Sequence, residues 1–271
     1  MNIITGEKIQ QQCDVYIGYA EDFNCNPIIR VQKEKHLNLH TLQTGYENPP
    51  KVFCYSNRIA DLSNKIHLFK NKFILVSHNS DGEIHNCSQT LRIVNDEKVE
   101  KWYAQNICFE HEKLIFLPIG IANSQWKHGD LSIYRAEEEE GKKTKKVYFN
   151  FNIETNRSKR QPCYDKLKGK LEWLPNIEPR QNIQRLREYE FCICPEGNGV
   201  DTHRLWEAIY VKTIPIVIQS EFTEILKKNK VPVCIIDDWS DVDINKLNYS
   251  EYDITGFLNQ VNTWNRLGNE K

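Results

Sequence analysis

The most chemically loaded stretch of the chain is Phe191-Cys-Ile-Cys-Pro-Glu-Gly-Asn-Gly-Val-Asp-Thr-His-Arg-Leu-Trp-Glu-Ala-Ile-Tyr210. It reads as a short apolar strand, a loop with two glycines and then a helix. Gly197 and Gly199 let backbone approach a ligand closely, and Asn198 between them tolerates unusual dihedrals. Asp201 stands where an N-cap belongs, which leaves the amides of Thr202 and His203 at a helix start suited to an anion. Arg204 and Glu207 are three apart and share a helix face. A guanidinium grips a diphosphate through paired hydrogen bonds, and a carboxylate accepts from two ribose hydroxyls. Those are the parts of a nucleoside-diphosphate site. A tight loop above an ordinary Arg204–Glu207 salt bridge accounts for the same residues, and spacing does not separate the two readings.

A basic cluster lies upstream, Asn156-Arg-Ser-Lys-Arg160, after the apolar run Val147–Phe151. Between residues 141 and 190 there are thirteen Lys/Arg against six Asp/Glu. A cationic wall of this kind would neutralise a bound diphosphate by side-chain charge in place of a metal. Arg157 and Arg160, three apart, are the preferred phosphate partners. A solvated helix start is the plainer alternative.

Positioning these groups requires a parallel sheet, and apolar runs alternating with helical patterns indicate one. Strands are expected at Asp14–Gly18, Val52–Tyr55, Phe73–Ser77 and Leu114–Pro118, with helices over Ile59–Phe69 and, after Asn95 as N-cap, Asp96–Gln105. The charged run Glu137–Lys146 reads as a linker. Beyond it the pattern restarts: strands at Val147–Phe151, Leu171–Leu174, Phe191–Cys194, Ile214–Ile218 and Val233–Ile236. Helices are expected over Ser158–Lys168, Arg180–Glu188, Asp201–Val211, Glu221–Asn229 and Thr255–Arg266. The expected fold is α/β, two facing Rossmann-like domains with a cleft between them. They would span residues 1–140 and 141–254, with a helix at 255–271 packing back on the first. The glycine loop then falls at the carboxyl edge of a strand, where ligands bind in such sheets.

Composition bounds the partners. The chain has 271 residues, 36 Lys/Arg and 37 Asp/Glu, for a formal net charge of -1. This balance argues against nucleic-acid binding through a broad basic footprint. Hydrophobic residues make up 39% and aromatics 11%, enough for a sizeable core. Mean hydropathy is -0.63, and no apolar run approaches the length of a membrane span. The start shows no secretory signal, and nine irregularly spaced cysteines suit reduced thiols in the cytoplasm.

The stretch from Cys194 to Ile218 resembles the exostosin family of glycosyltransferases. Pro195 and Gly197, then Asp201, Arg204 and Glu207-Ala208, then Ile214-Pro-Ile-Val217 carry the resemblance. The short form is similar to soluble exostosin-like transferases of large DNA viruses, chloroviruses among them, and of bacteria. The resemblance implies a GT-B fold, inversion at the anomeric carbon, a sugar nucleotide held by the C-terminal domain, no obligatory metal and no required cofactor. Carried over residue by residue, it implies that Arg204 binds the donor phosphates and Glu207 the ribose. The loop Gly197, Asn198 and Gly199 would face the diphosphate or transferred sugar, with Asp201 and His203 near the sugar hydroxyls, and Glu196 and Thr202 counted among the donor-binding residues. Tyr210-Val-Lys-Thr213 departs from the small residues that many members carry before Ile-Pro.

Inverting transfer needs a base for the acceptor hydroxyl. The polar loop Ser77–Gly82 supplies Asp81 as first choice and His78 as second, with Asn79 and Ser80 positioning acceptor hydroxyls; the same residues also make good β-turn chemistry. Asn123 and Trp126 follow a second strand-to-loop transition and could hold an acceptor sugar, Trp126 by stacking, unless it packs at a domain interface. The expected partners are a UDP-sugar, xylose favoured, and a glycan or glycoprotein acceptor. One rival is a metal-dependent GT-A enzyme using Asp241 and Asp243. Another is a non-catalytic carbohydrate- or nucleotide-binding protein. Cys192 and Cys194 have no partner set for zinc.

Overall fold

The computed structural model describes residues 3–42, 51–134 and 143–261. It is an α/β protein with two parallel sheets, of six and four strands. Contacts divide the chain into two compact units: residues 4–119 build one around the six-stranded sheet, and residues 120–261 build the other around the four-stranded sheet. The chain therefore changes unit between Ile119 and Gly120. The expected boundary at 140/141 falls outside the described residues, and residues 120–134 group with the four-stranded unit.

In the first unit, α1 (Gly6–Gln11) leads to β1 (Val15–Gly18), α2 (Ala20–Asn24), α3 (Pro27–Arg30) and β2 (His36–Asn38). There follow β3 (Lys51–Tyr55), α4 (Ile59–Ser63), β4 (Phe73–His78), α5 (Ser88–Val94), β5 (Val99–Ala104) and β6 (Leu114–Phe116). The sheet order is β2-β1-β3-β4-β5-β6, all parallel. Central strands covered on both faces read as continuous apolar runs. Accordingly Val52, Phe53, Cys54, Leu75, Val76 and Trp102 are fully buried. The polar groups among them are satisfied: Trp102 Nε1 donates to Ser77 Oγ at 2.8 Å.

The second unit contains β7 (Lys145–Tyr148), α6 (Arg157–Leu167), α7 (Pro179–Leu186), β8 (Tyr189–Ile193) and α8 (His203–Tyr210). It is completed by β9 (Ile214–Ile218), α9 (Glu221–Lys228), β10 (Cys234–Ile236) and α10 (Ile254–Gln260). Its order, β10-β9-β8-β7, runs in one direction without reversal. Helix α8 buries Leu205, Trp206, Ala208 and Ile209. The Tyr210–Thr213 turn places Lys212 at a φ of 58°, and the Thr213 amide closes back on Ala208 O at 2.8 Å.

Four expectations change. The expected Ile59–Phe69 helix is α4, ending at Ser63, followed by a separate 3-10 turn at Ile66–Leu68. Residues 99–104, expected in a helix, are the inner strand β5: Val99, Trp102 and Tyr103 suit a pleated sheet, and pairing with β4 and β6 overrides the helical spacing. The helix stands just before, as α5, and Asn95 is its C-cap instead of an N-cap. Leu171–Leu174 is no strand; Leu174 N bonds Phe149 O at 3.0 Å outside any ladder. Residues 145–146 of the expected linker already belong to β7, and residues 135–142 lie outside the described set. The described part of the expected last helix is α10, which packs on α8; residues 262–266 lie outside the described set. No described helix is long and apolar enough to cross a membrane.

Candidate functional site

At the carboxyl end of β8 the chain passes through Pro195 and Glu196 into Gly197–Gly199. Gly197 N donates to Gly199 O at 3.1 Å, and Asn156 Nδ2 donates to Gly197 O at 2.6 Å. Neither these glycines nor Asn198 has a positive φ, so the expected unusual dihedrals are absent. What Gly197 provides is room: a Cβ there would stand 3.1 Å from Arg160 Nη2. Asn198 is exposed and both glycines are buried.

Arg160 and Arg157 part company on α6. Arg157 is exposed and pairs with Glu154 at 2.5 Å, so it is not drawn toward the glycine loop. Arg160 is only 8% exposed; its Nε donates to Glu196 O at 2.9 Å and its Nη1 to Asn152 O at 2.7 Å. Both acceptors are backbone carbonyls, and Arg160 forms no ion pair among the described residues. Burial, and then the charge of Arg204, holds its pKa below the ordinary arginine value. The rest of the basic region is largely neutralised in place: Lys145 with Glu188, Lys146 with Glu190, Lys159 with Glu196, Lys166 with Asp238.

The expected N-cap shifts by one residue. Thr202 caps α8, its hydroxyl accepting from Leu205 N at 3.4 Å, while Asp201 is buried and accepts from Trp206 Nε1 at 2.7 Å. Asp201 thus anchors the helix to the core. His203 opens α8 with Nδ1 2.8 Å from Gly120 O. One turn on, Arg204 Nε donates to Glu207 Oε2 at 3.0 Å, and Nη1 donates to Asn150 O, beyond β7, at 2.6 Å. The salt-bridge reading is therefore realised, yet in a buried setting: the two side chains are 20% and 9% exposed. Burial opposes the Arg204 charge, but Glu207 and the neighbouring thiols and phenol outweigh it, and its pKa is raised.

Sequence reasoning passed over His128 and Tyr134, which share this surrounding. His128 is held below the ordinary histidine value chiefly by burial, with Glu207 opposing and His203 and Arg204 adding to the shift. Its ring faces His203 edge-on at 6.2 Å and lies against Trp126 at 6.3 Å. Trp126 is 56% exposed, and Asn123 O accepts from Trp126 N at 3.0 Å. Asn123 and Trp126 thus belong with the four-stranded unit, where the sequence placed them on the acceptor side. Nothing local in Lys127-His-Gly129 signalled this; only the return of residues 120–134 to α8 does.

A cavity of about 250 Å³ opens at the carboxyl ends of β8, β9 and β10, lined among others by Lys159, Pro195, Glu196, Thr202, Phe222 and Trp239. It is slightly below the roughly 300 Å³ at which whole-ligand sites begin, so it suits one ring system. A larger cavity of about 820 Å³ lies beside β10, bordered by Lys230, Asp237, Tyr252 and Phe257 and away from the glycine loop. The D-x-D carboxylates are engaged in their own turns: Asp241 Oδ2 accepts from Asp238 N at 2.9 Å and Asp243 Oδ1 from Asn245 N at 3.0 Å.

In the six-stranded unit the Ser77–Gly82 loop follows β4. His78 is 1% exposed, with Nε2 3.0 Å from Pro118 O. Asn79 takes a φ of 61°; its Nδ2 donates to Gln10 Oε1 at 2.6 Å and its N to Gln105 Oε1 at 3.0 Å. Ser80 Oγ accepts from Asn57 N at 2.8 Å. These three residues frame the loop, while Asp81 is exposed. The strand order reverses between β1 and β3, the kind of switch point that favours ligand crevices. Arg58 lies there, gripping Asp22 through Nε and Nη2, both at 3.0 Å, with its guanidinium 4.7 Å from the Tyr19 ring. Ser56 Oγ, buried at the end of β3, has no hydrogen-bond partner among the described residues.

No protein-family model matches the chain, and no curated protein does.

Proposed function

We propose that the protein is an inverting glycosyltransferase of GT-B arrangement that moves a sugar, xylose first among the donors, from a UDP-sugar to a glycan hydroxyl without an obligatory metal. The observation that carries the reading is Arg160. A buried guanidinium hydrogen-bonded only to carbonyls, with the Phe151 ring 5.8 Å away, has no anionic counter-charge among the described residues, which is costly. An anionic ligand at the glycine loop would supply the counter-charge. The exostosin-like pattern between Cys194 and Val217 adds to this, because it implies the same ligand at the same loop.

In this reading the 250 Å³ cavity takes the heterocycle. Glu207, one oxygen of which already accepts from Arg204, anchors the ribose. Arg160 and the amino end of α8 face the diphosphate. The acceptor oxygen bonds to the anomeric carbon as the bond to the phosphate oxygen breaks; Asp81 takes the acceptor proton, and the leaving UDP keeps the electron pair. Arg160 and Arg204 stabilise that developing charge without reorganising. Asp81 is preferred over His78, whose ring is enclosed and held by Pro118 O.

Calorimetric titration with UDP, together with turnover of a UDP-sugar panel, tests the proposal. UDP affinity is expected to fall at least about tenfold in Arg160→Ala, the scale of one charge-assisted hydrogen bond. Unchanged affinity in both Arg160→Ala and Glu207→Gln would remove the donor site. UDP binding with no turnover of any donor would favour a non-catalytic nucleotide-binding protein.

A further inference from the structure

Beyond the Ser77–Gly82 loop, two connecting segments of the six-stranded unit meet in an isolated parallel bridge between Ile84 and Ile107. Ile84 N donates to Asn106 O and Cys108 N donates to Ile84 O, both at 2.9 Å. Ile84 and Ile107 are buried, at 1% and 3% exposure. In extended chain the flanking residues turn to the opposite side, which sets Glu83 and His85 together on one segment and Cys108 on the other. His85 Nε2 lies 2.7 Å from Glu83 Oε2. One ligand atom from each of Glu83, His85 and Cys108 falls within 4.8 Å of the others.

We propose that Glu83, His85 and Cys108 bind a divalent transition-metal ion of the zinc class. Carboxylate, imidazole and thiolate are together the zinc donor set. The sulfur argues against magnesium and calcium, which take oxygen ligands. Ligand bonds of about 2.0–2.3 Å at tetrahedral angles put donor atoms roughly 3–4 Å apart. Cys108 is held in place, 5% exposed; the Glu83 and His85 side chains, 32% and 55% exposed, are free to adjust. Binding displaces to solvent the Cys108 thiol proton, which now points to Asn106 O at 3.7 Å, and the imidazole of His85 exchanges its contact with Glu83 for one with the ion. Three protein ligands leave one position for water on the exposed side. The ion would clamp the β4–α5 connection, which carries Asp81, to the β5–β6 connection. This site does not depend on the transferase reading.

The test is titration of the reduced full-length protein with cobalt(II), read by its thiolate charge-transfer band and tetrahedral d–d bands, with zinc as competitor. One equivalent is expected to give both bands. Cys108→Ser loses the charge-transfer band, and His85→Ala weakens binding by at least the roughly 10–100-fold that even outer partners of a ligand contribute. A Cys25→Ser/Cys87→Ser double variant, which removes the exposed cysteines, keeps both bands. The site is overturned by absence of a thiolate band in the parent or by its loss in the Cys25/Cys87 variant. If Cys108→Ser does not fold, His85→Ala and Glu83→Gln decide, and unchanged binding in both overturns the site.

Discussion

Arg160 Nη2 lies 3.1 Å from where a Cβ on Gly197 would stand. The glycine therefore serves a side chain arriving from another element, and this contact joins the start of α6 to the loop after β8. A methyl group there must push either the guanidinium or the loop. Gly197→Val is expected to lower UDP affinity about tenfold or more while Gly169→Ala, whose Cβ would meet nothing within 4 Å, leaves it unchanged. Calorimetry on the two variants makes the comparison. Arg160→Lys retains charge but loses the planar fork, and an intermediate affinity is expected.

The Arg204–Glu207 pair can be separated into its structural and binding parts. Glu207→Gln leaves Arg204 without its carboxylate in a site where the side chains are 20% and 9% exposed. A destabilisation of about 2–3 kcal/mol is expected, below the 3–5 of a fully buried pair. Denaturant titration measures that part. Loss of UDP affinity measured well below the unfolding transition would show that Glu207 also meets the ligand.

Asp81→Asn is expected to reduce turnover at least about a hundredfold, the lower range of general-base contributions, with UDP affinity unchanged. The carboxylate is exposed, so stability should hold within about 0.5 kcal/mol. Full turnover in this variant would exclude Asp81 as the base.

Gly6 begins α1 against the loop that carries Asp81. A Cβ there would stand 1.7 Å from Asn79 Oδ1 and 2.8 Å from His78 Nδ1. Gly6→Ala is expected to destabilise the protein by about 1–3 kcal/mol, as over-packing does, and to disturb the loop at a distance in sequence of some seventy residues. Thermal unfolding, and turnover of the folded variant, read the two effects.

Lys143 donates to Val211 O at 2.9 Å and to Thr213 Oγ1 at 2.8 Å at the end of α8. Burial first, and then Arg187 and Lys212, lower its pKa to about 7. Between that value and the ordinary lysine value the unfolded chain binds more protons than the folded one, so stability rises with pH across this window. The slope contributed is at most about 1.4 kcal/mol per pH unit. Lys143→Met is expected to flatten the denaturation midpoint between pH 7 and about 10.

The short-range features were legible in the sequence. The strand β8, the glycine loop and α8 follow one another within a few residues, so apolar run, glycine and helical spacing define them locally. The same holds for β3, β4 and β9, whose continuous apolar runs mark buried parallel strands. Only the tertiary structure separated Arg160 from Arg157, because which of two residues three apart turns inward depends on what α6 packs against. Residues 99–104 carried a helical spacing and became an inner strand because ladder pairing on both sides outweighs local propensity. His128 feels the charge of Glu207 across 79 positions, and Cys108 comes near His85 beside a single bridged pair. Such meetings are set by how the chain closes on itself, and no local pattern of residues encodes them.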